Sequence, residues 1–236
     1  MSRLFAALVR HGDYHQLPDT PSAHQPFALT PDGENHAQKS ADLLTDAMQE
    51  NGWSLVTSID TSRMLRAWQT ARIMADTLKE PSNSEIKLKS FDELAERGVG
   101  SAANLTLQQI EDVIRQDPRF NTLPIDWKSN SHYQLPFQGA ESLMQAGERV
   151  AEHLKFRMSE LSDEKNSDTD RLKVFVGHGA AFRHAAYHLG VLEFDDIAKL
   201  SMYHGVPVFI EYIDENQWQH FAGEWKIRTK TTIEID

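Results

Sequence analysis

The pattern of apolar and polar residues along the chain predicts short strands that alternate with amphipathic helices. Strand-like apolar stretches lie at residues 4–9, 54–59, 86–88, 172–176 and 206–213, and residues 218–221 are expected to pair with the last of these. Helical spacing of apolar residues covers positions 31–49, 64–78, 107–114, 141–161 and 180–189. Because strands and helices take turns, the sequence predicts a parallel sheet with helices packed on its faces.

Three polar segments interrupt this pattern. Residues 15–28 contain three prolines, which is typical of a loop, and the acidic residues 162–170 are expected to form a solvated surface loop. Residues 97–139 hold one predicted helix and then a stretch that prolines break up, and insertions of this length tend to carry function. The alternating polar tail after Trp225 favours an edge strand.

Two of the predicted strands end in residues that bear catalytic chemistry. The first strand stops at Arg10 and His11, and Gly12 then permits a sharp turn. The strand over residues 172–176 is followed by His178, which stands between two glycines. Since ligands bind at the carboxyl ends of strands in open α/β sheets, these endings place a cation and two imidazoles at the expected site.

Arg66 and Glu96 extend this candidate cluster. Arg66 lies in the first turn of a predicted helix, where the helix dipole disfavours a cation unless an anion is shared. Glu96 follows the third predicted strand and stands beside Arg97. Each of these residues alone is also explained as a solvated surface charge, so the prediction of a site depends on the whole set.

Composition limits the class of protein. The 236 residues suffice for one large α/β domain or for two small domains, and 40% hydrophobic with 25% charged residues is ordinary for a globular protein. The absence of cysteine excludes disulfides, thiolate zinc sites and a cysteine nucleophile. No apolar run is long enough to cross a bilayer, and the short one between Arg3 and Arg10 does not match a signal peptide. We therefore expect a cytoplasmic protein without a membrane partner.

The charge balance and the missing motifs exclude further classes. The formal net charge of −11 argues against a general nucleic-acid binder. It leaves room for an anionic small substrate, because a local cluster of Arg and His reverses the field inside a cleft. The sequence has no Gly-rich phosphate loop that ends in Lys and Ser or Thr, so a kinase or nucleotide hydrolase of that type is not predicted.

The candidate residues belong to motifs that occur in a known order. The chain reads R-H-G at 10–12, L-T-x-x-G at 29–33, R-A-x-Q-T-A at 66–71, L-x-E-R at 94–97 and H-G at 178–179. Residues 139–142 read G-A-E-S, one residue longer than the G-E-S of the family in question. With these motifs the sequence resembles the histidine phosphatase superfamily, also called phosphoglycerate-mutase-like. The resemblance implies one α/β domain over residues 1–236, a three-layer sandwich with a mainly parallel sheet and helices on both faces.

The same resemblance implies a metal-independent phosphatase that uses no cofactor. His11 is then the nucleophile that becomes a phosphohistidine. Arg10 and Arg66 bind phosphoryl oxygens, for which the forked guanidinium is well suited. His178, protonated beside the phosphate dianion, binds a further oxygen and stabilises the transferring group.

Two further roles follow from the resemblance. Glu96 is expected to protonate the leaving oxygen and then to take a proton from the attacking water, with Glu93 as the nearby alternative. The backbone N–H of Gly179 or Ala180, at the start of a predicted helix, is expected to add a donor to the phosphate site.

The residues after Gly12 favour a phosphatase over a mutase. True mutases continue with a Trp-Asn pair, whereas this chain continues with Asp13, Tyr14 and His15. The carboxylate of Asp13 and an open proline-rich loop are both unfavourable for holding a phosphoglycerate. Tyr14 and His15 resemble the mitochondrial protein-phosphatase branch, or they are plain loop residues. The substrate is therefore expected to be a phosphorylated small molecule or a phosphoprotein, and a phosphoglycerate-type mutase stays the alternative.

The role of the 97–139 segment and the class of protein each have an alternative. Residues 97–139 are expected to form a cap, whose basic residues either contact a second anionic group of the substrate or are solvated; they are Arg97, Arg115, Arg119 and Lys128. A binding or scaffold protein on an inactive phosphatase fold is the competing class. Such a protein would be expected to lack at least one site residue. This chain retains all of them: Arg10, His11, Arg66, Glu96 and His178.

Overall fold

A mixed sheet with helices on both faces forms the centre of the structure, a computed structural model that describes residues 2–21, 24–82, 85–163 and 168–228. The helices are α1 (Pro31–Asn51), α2 (Leu65–Ser82), α3 (Leu107–Gln116), α4 (Leu143–Asp163), α5 (Gly179–His188) and α6 (Phe194–Ile197). The strands are β1 (Leu4–Arg10), β2 (Ser54–Ser62), β3 (Lys87–Phe91), β4 (Arg171–Gly177), β5 (Leu200–Ser201), β6 (Val208–Asp214), β7 (Gln217–Ala222) and β8 (Lys226–Ile227). Short 3-10 helices cover Asp92–Leu94 and Gly100–Ala102.

The main sheet of the described residues has the strand order β3-β2-β4-β1-β6-β7. The pairs β3–β2, β2–β4 and β4–β1 are parallel, whereas β6 and β7 are antiparallel to their neighbours. β5 and β8 pair in a separate two-stranded sheet. This topology confirms the predicted three-layer sandwich with a mainly parallel sheet.

The central strand β1 is apolar on both sides because helices cover both faces of the sheet. Leu4 and Leu8 face the cluster that α4 and α5 contribute, and Phe5 and Val9 face the cluster of α1 and α2. The apolar run therefore ends where the strand leaves the core, at Arg10.

Several element boundaries differ from the prediction. The last long strand begins at Val208 rather than at residue 206, because a turn and Pro207 precede it. α4 runs through Asp163 and so includes the first residues of the predicted acidic loop, of which residues 164–167 lie outside the described residues. Of the predicted edge strand of the tail, the described residues include β8, and residues 229–236 lie outside them.

The segment over residues 97–139 builds an apolar cluster of its own around α3. Its buried side chains include Val99, Ile110, Ile114, Trp127 and Leu135. Hydrogen bonds connect the segment to the main body. Leu107 N–H donates to the Asp19 carbonyl at 2.9 Å, and the hydroxyl of Ser131 lies 3.1 Å from Nε2 of His184 on α5.

A buried ionic cluster lies under the sheet beside α4. Asp60 is fully buried, with Lys173 Nζ 2.5 Å from Oδ1, Arg157 Nε 2.7 Å from Oδ2 and His153 Nε2 3.3 Å from Oδ2. Burial alone would raise the pKa of Asp60, but these contacts outweigh it and lower the pKa to about 2. Burial lowers the pKa of Lys173 to about 8. Asp60 and Lys173 stabilise each other through their opposite charges, so removing either partner leaves a buried ion uncompensated.

Candidate active site

The site forms at the edge of the sheet where the parallel strands end. Arg10 ends β1 and His11 follows it, while His178 follows β4 as the N-cap of α5. Arg66 stands in the first turn of α2, directly after β2, and Glu96 follows β3 and its short 3-10 helix. The structure thus brings the predicted residues to one edge of the sheet, as expected from parallel strands.

His11 is held by hydrogen bonds at both ring nitrogens. Nδ1 lies 2.7 Å from the carbonyl oxygen of Gly12, and Nε2 lies 3.1 Å from Nε of Arg66. A carbonyl only accepts and a guanidinium only donates, so Nδ1 carries the proton and Nε2 carries the lone pair. His11 is therefore fixed in the tautomer that a nucleophilic Nε2 requires.

Arg66 is the centre of this network. Besides His11, its guanidinium reaches Nδ1 of His178 through Nη2 at 3.2 Å and the carbonyl oxygen of Gln25 through Nη1 at 3.0 Å. Its Cζ lies 4.4 Å from the ring centroid of Tyr14, a cation–π contact, and Tyr14 also packs edge-on against His11. Although burial lowers the pKa of Arg66 from its ordinary value, a guanidinium stays charged at neutral pH.

His178 is oriented by Arg66 on one side and by Ser62 on the other. Because Arg66 donates to Nδ1, Nε2 of the neutral ring carries the proton and donates to Oγ of Ser62 at 3.0 Å. The His178 and His11 rings lie 5.0 Å apart between centroids. Ser62 had no predicted role, although it ends the strand that leads into the R-A-x-Q-T-A motif.

The protein groups alone keep both imidazoles neutral. Burial lowers the pKa of His11 well below its ordinary value, and the nearby charge of Arg66 adds to this effect. Burial, Arg66 and Arg10 likewise lower the pKa of His178. A neutral His11 suits a nucleophile. The expected protonation of His178 depends on the negative charge of a bound phosphate, and it stays a prediction.

Arg10 lies against the start of α5. Its Nη1 donates to the carbonyl of Met202 at 3.0 Å. A Cβ built on Gly179 would stand only 3.0 Å from Cδ of Arg10, so glycine at this place permits the close approach. The first N–H groups of a helix lack partners within it, which fits the predicted role of the Gly179 or Ala180 N–H as a phosphate donor.

Glu96 is buried, and hydrogen bonds with Arg149 and Glu141 hold the segment that carries it. One of its carboxylate oxygens, Oε1, accepts the backbone N–H of Arg97 at 2.8 Å. Nη1 of Arg149 donates to the carbonyls of Glu93 and Ala95 at 2.7 and 3.1 Å. Arg149 also pairs with Glu141, whose Oε1 accepts the N–H of Gly98. The glutamate of the G-A-E-S stretch therefore helps to hold the loop that carries Glu96; Glu93 itself is exposed.

The remaining motif residues support the backbone of the nucleophile. The hydroxyl of Thr70 accepts the N–H of Gly12 at 3.0 Å and donates to the carbonyl of Arg66 at 2.8 Å. A Cβ on Gly12 would lie 2.2 Å from the carbonyl oxygen of Gly33, so the strand end and α1 meet only because both positions are glycine. Thr30 caps α1 by accepting the Gly33 N–H.

The proline-rich loop contacts the site, contrary to the open loop that the sequence favours. Gln25 is buried, and its side-chain oxygen accepts the N–H of Leu17 while its amide donates to the carbonyls of Thr20 and Pro21. The backbone carbonyl of Gln25 accepts a hydrogen bond from Nη1 of Arg66. The carboxylate of Asp13, expected to repel a phosphoglycerate, accepts the hydroxyl proton of Thr30 at 3.0 Å.

The other predicted candidates divide into buried and exposed residues. His15 is exposed, unlike Tyr14. Arg115 and Arg119 are solvated and pair with Asp112 and Asp117 on the same segment. Arg97 is buried, and its Nη1 lies 3.4 Å from the carbonyl of Lys128. Burial therefore separates Arg97 from the solvated Arg115 and Arg119, and a substrate contact for it stays a prediction.

Positive charge at the site comes from arginine side chains. Within the described ranges, no group of three or more His, Cys, Asp or Glu side chains is arranged to hold a metal ion. A metal-independent reaction stays a prediction. The same part of the chain contains no helix with the length and apolar character needed to span a membrane.

Comparisons with known proteins agree with this architecture. The family model of the histidine phosphatase superfamily (branch 1) matches residues 6–221. The structure is similar to that of a mycobacterial glucosyl-3-phosphoglycerate phosphatase, with a TM-score of 0.67, 18% identity and coverage of 96% of this chain and 97% of that one. It is also similar to the alpha-ribazole phosphatase from Shigella flexneri, with a TM-score of 0.66, 18% identity and coverage of 94% and 95%.

A third similar structure is a putative alpha-ribazole-5'-P phosphatase from Escherichia coli, with a TM-score of 0.64, 18% identity and coverage of 100% of this chain and 99% of that one. A search of curated protein sequences finds no match. At this identity the solved structures establish the shared fold, whereas the family rests on the match over residues 6–221. The chain therefore belongs to branch 1 of the histidine phosphatase superfamily, and it is an enzyme of the histidine phosphatase type.

Proposed function

We propose that the protein hydrolyses a phosphomonoester through a phosphohistidine at Nε2 of His11, without a metal ion. The observation that carries this proposal is the fixed tautomer of His11. Its Nδ1 proton is committed to the Gly12 carbonyl, so the Nε2 lone pair faces the guanidinium of Arg66, which is suited to bind an incoming phosphoryl group.

The first chemical step transfers the phosphoryl group to the protein. The Nε2 lone pair of His11 attacks phosphorus, and the bond from phosphorus to the leaving oxygen breaks. Glu96 supplies the proton that this oxygen takes up. The Nε–H of Arg66, which now lies on Nε2 of His11, transfers its hydrogen bond to a phosphoryl oxygen as the new P–N bond forms.

The second step returns the protein to its starting state. Water attacks phosphorus, the carboxylate of Glu96 takes a proton from it, and the electron pair of the P–N bond returns to Nε2 of His11. Arg10, Arg66 and His178 stabilise the charge on the equatorial oxygens in both steps. Inorganic phosphate and the dephosphorylated product are the two products.

A phosphomutase is the second candidate, because both activities share the first step. The structure supports it through the buried Gln25 and the loop that it closes, since a mutase must exclude water from the intermediate. The 97–139 segment, with its own apolar cluster, is proposed to cap the site and contributes to the same enclosure. Hydrolysis stays the preferred function because the mutase-type Trp-Asn pair is absent after Gly12.

The test separates the two activities and the substrate classes. Turnover is measured on sugar phosphates, nucleotides, phosphoglycerates and phosphopeptides, with small phosphorylated molecules expected to react best, because the solved relatives are by name phosphatases of such molecules. With 3-phosphoglycerate and a bisphosphoglycerate primer, free phosphate and 2-phosphoglycerate are followed together. Phosphate release without 2-phosphoglycerate supports the hydrolase; rapid 2-phosphoglycerate formation with little phosphate restores the mutase.

A further inference from the structure

The loop between β5 and β6 lies against the catalytic strand end and has no role in the function proposed so far. Its Met202 carbonyl accepts from the Arg10 side chain at 3.0 Å, and its Gly205 N–H donates to the Arg10 carbonyl at 2.9 Å. Nδ1 of His204 lies 2.6 Å from the carbonyl oxygen of His11. Because that oxygen only accepts, Nδ1 of His204 carries a proton and donates it.

These contacts complete the fixation of the two peptide groups that flank His11. In the first group, the Arg10 carbonyl accepts from Gly205 and the His11 N–H donates to the Gly177 carbonyl at 3.0 Å. In the second group, the His11 carbonyl accepts from His204 and the Gly12 N–H donates to Thr70. The second group is thus held at both ends by side chains, and one of the two is His204.

The second peptide group controls the chemistry of the nucleophile. The carbonyl of Gly12, which fixes the tautomer of His11, belongs to the next peptide along the chain, so its position depends on how the group before it is turned. We infer that His204 is a positioning residue, which holds the His11–Gly12 peptide so that Nε2 of His11 keeps its lone pair towards the phosphoryl site. The inference rests on the proposed function, because it concerns the same nucleophile.

The surroundings of His204 suit this role. Its ring lies 5.5 Å from the His11 ring and stacks on His36 at 5.7 Å, with an interplanar angle of 14°. His36 in turn accepts the Asp13 N–H through Nδ1 at 3.3 Å. Burial and the charge of Arg10 lower the pKa of His204 to about 4, so the ring donates from Nδ1 without adding a third cation beside Arg10 and Arg66.

The test compares three replacements of His204. His204→Phe keeps a ring and removes the donor, His204→Ala removes both and serves if the phenylalanine variant does not fold, and His204→Asn keeps an N–H close to the place of Nδ1. The exposed His220, which lies on β7 and contacts the Gly223 carbonyl, provides the matched control His220→Phe. Thermal unfolding establishes that each variant is folded before kinetics are read.

Two readouts distinguish positioning from a general structural effect. In His204→Phe and His204→Ala, kcat on p-nitrophenyl phosphate falls about tenfold while KM stays within about twofold, as expected for one lost hydrogen bond to the catalytic backbone. His204→Asn recovers most of kcat, and His220→Phe matches wild type. Nitrogen-15 NMR of histidine-labelled protein, with His11 assigned through His11→Asn, shows a single Nδ1–H tautomer of His11 in wild type and a mixture in the donor-less variants.

The outcomes separate this inference from the proposed function. A wild-type protein that hydrolyses no phosphomonoester refutes the proposed function, but the NMR readout still tests the role of His204. An unchanged kcat and an unchanged His11 tautomer in the donor-less variants overturn the inference. Equal loss of kcat in His204→Asn and His204→Phe also overturns it, because the imidazole itself would then act on the substrate.

Discussion

Replacing Arg66 with lysine tests whether the geometry of the guanidinium, and not only its charge, is needed for catalysis. In the structure three nitrogens of one rigid fork reach Nε2 of His11 at 3.1 Å, Nδ1 of His178 at 3.2 Å and the Gln25 carbonyl at 3.0 Å. A lysine ammonium offers a single nitrogen at the end of a flexible chain, so it cannot reach these acceptors together. The positive charge that adds to burial in lowering the pKa of His11 is retained.

The size of the effect follows from the donors that the lysine variant loses. Removing one preorganised donor to a developing charge costs about 10²–10³ in kcat. Because Arg66 is expected to hold both the nucleophile and the phosphoryl group, Arg66→Lys is expected to lower kcat by at least this amount, about 10²–10³-fold. The loss is expected with p-nitrophenyl phosphate as well, since a good leaving group does not replace phosphoryl stabilisation.

The assay compares kcat and KM of wild type, Arg66→Lys and Arg72→Lys, with urea unfolding of each protein. Arg72 lies on the same helix and forms an exposed pair with Asp76 at 2.9 Å, so Arg72→Lys controls for the substitution itself and keeps full activity. A folded Arg66→Lys protein with kcat within about threefold of wild type would contradict a need for the guanidinium geometry, since charge alone would then suffice.

Two further predictions concern other parts of the molecule. Glu96→Gln lowers the turnover of alkyl phosphates by about 10²–10⁴-fold but that of p-nitrophenyl phosphate much less. Replacing the exposed Glu93 in Glu93→Gln leaves the turnover of both substrates unchanged. Equal slowing of both substrates by Glu96→Gln contradicts the acid role of Glu96. Asp60→Asn lowers the free energy of unfolding by about 3–5 kcal/mol in urea titrations, because Lys173 stays buried without its counter-charge, whereas Asp76→Asn changes it by less than about 1 kcal/mol. Since the pKa of Asp60 is lowered to about 2, its contribution to the free energy of unfolding is present above about pH 4 and is lost as the pH falls towards 2. A free energy of unfolding that does not differ more between wild type and Asp60→Asn at about pH 4 than at about pH 2 contradicts this contribution.

The sequence predicted the parallel part of the fold and the location of the site because both depend on local patterns. A strand buried on both faces must be apolar until it leaves the core, so the change from Val9 to Arg10 marks the strand end. The topology then requires that residues following parallel strands share one edge of the sheet. His11, Arg66 and His178 therefore met as expected, at hydrogen-bond distance through Arg66.

The contacts that orient these side chains were not predictable in the same way. His204 reaches the His11 carbonyl from a segment 193 positions away, and no periodicity in its own neighbourhood indicates this contact. Gln25 lies in a loop whose prolines suggested solvent exposure, yet its amide satisfies the backbone of that loop and thereby becomes buried. The burial of Asp60 was not predictable either, because a charged residue at the end of an apolar run looks solvated until its partners on α4 and β4 are known.

Identifying the phosphorylated group in the working enzyme tests the phosphohistidine mechanism most directly. Wild-type protein is mixed rapidly with labelled substrate, quenched without acid and analysed by mass spectrometry. We expect phosphate on Nε2 of His11, labile in acid and stable in base, and none in His11→Ala, which stays folded but does not turn over. A phosphoserine that is stable in acid, or full turnover by His11→Ala, would contradict this mechanism.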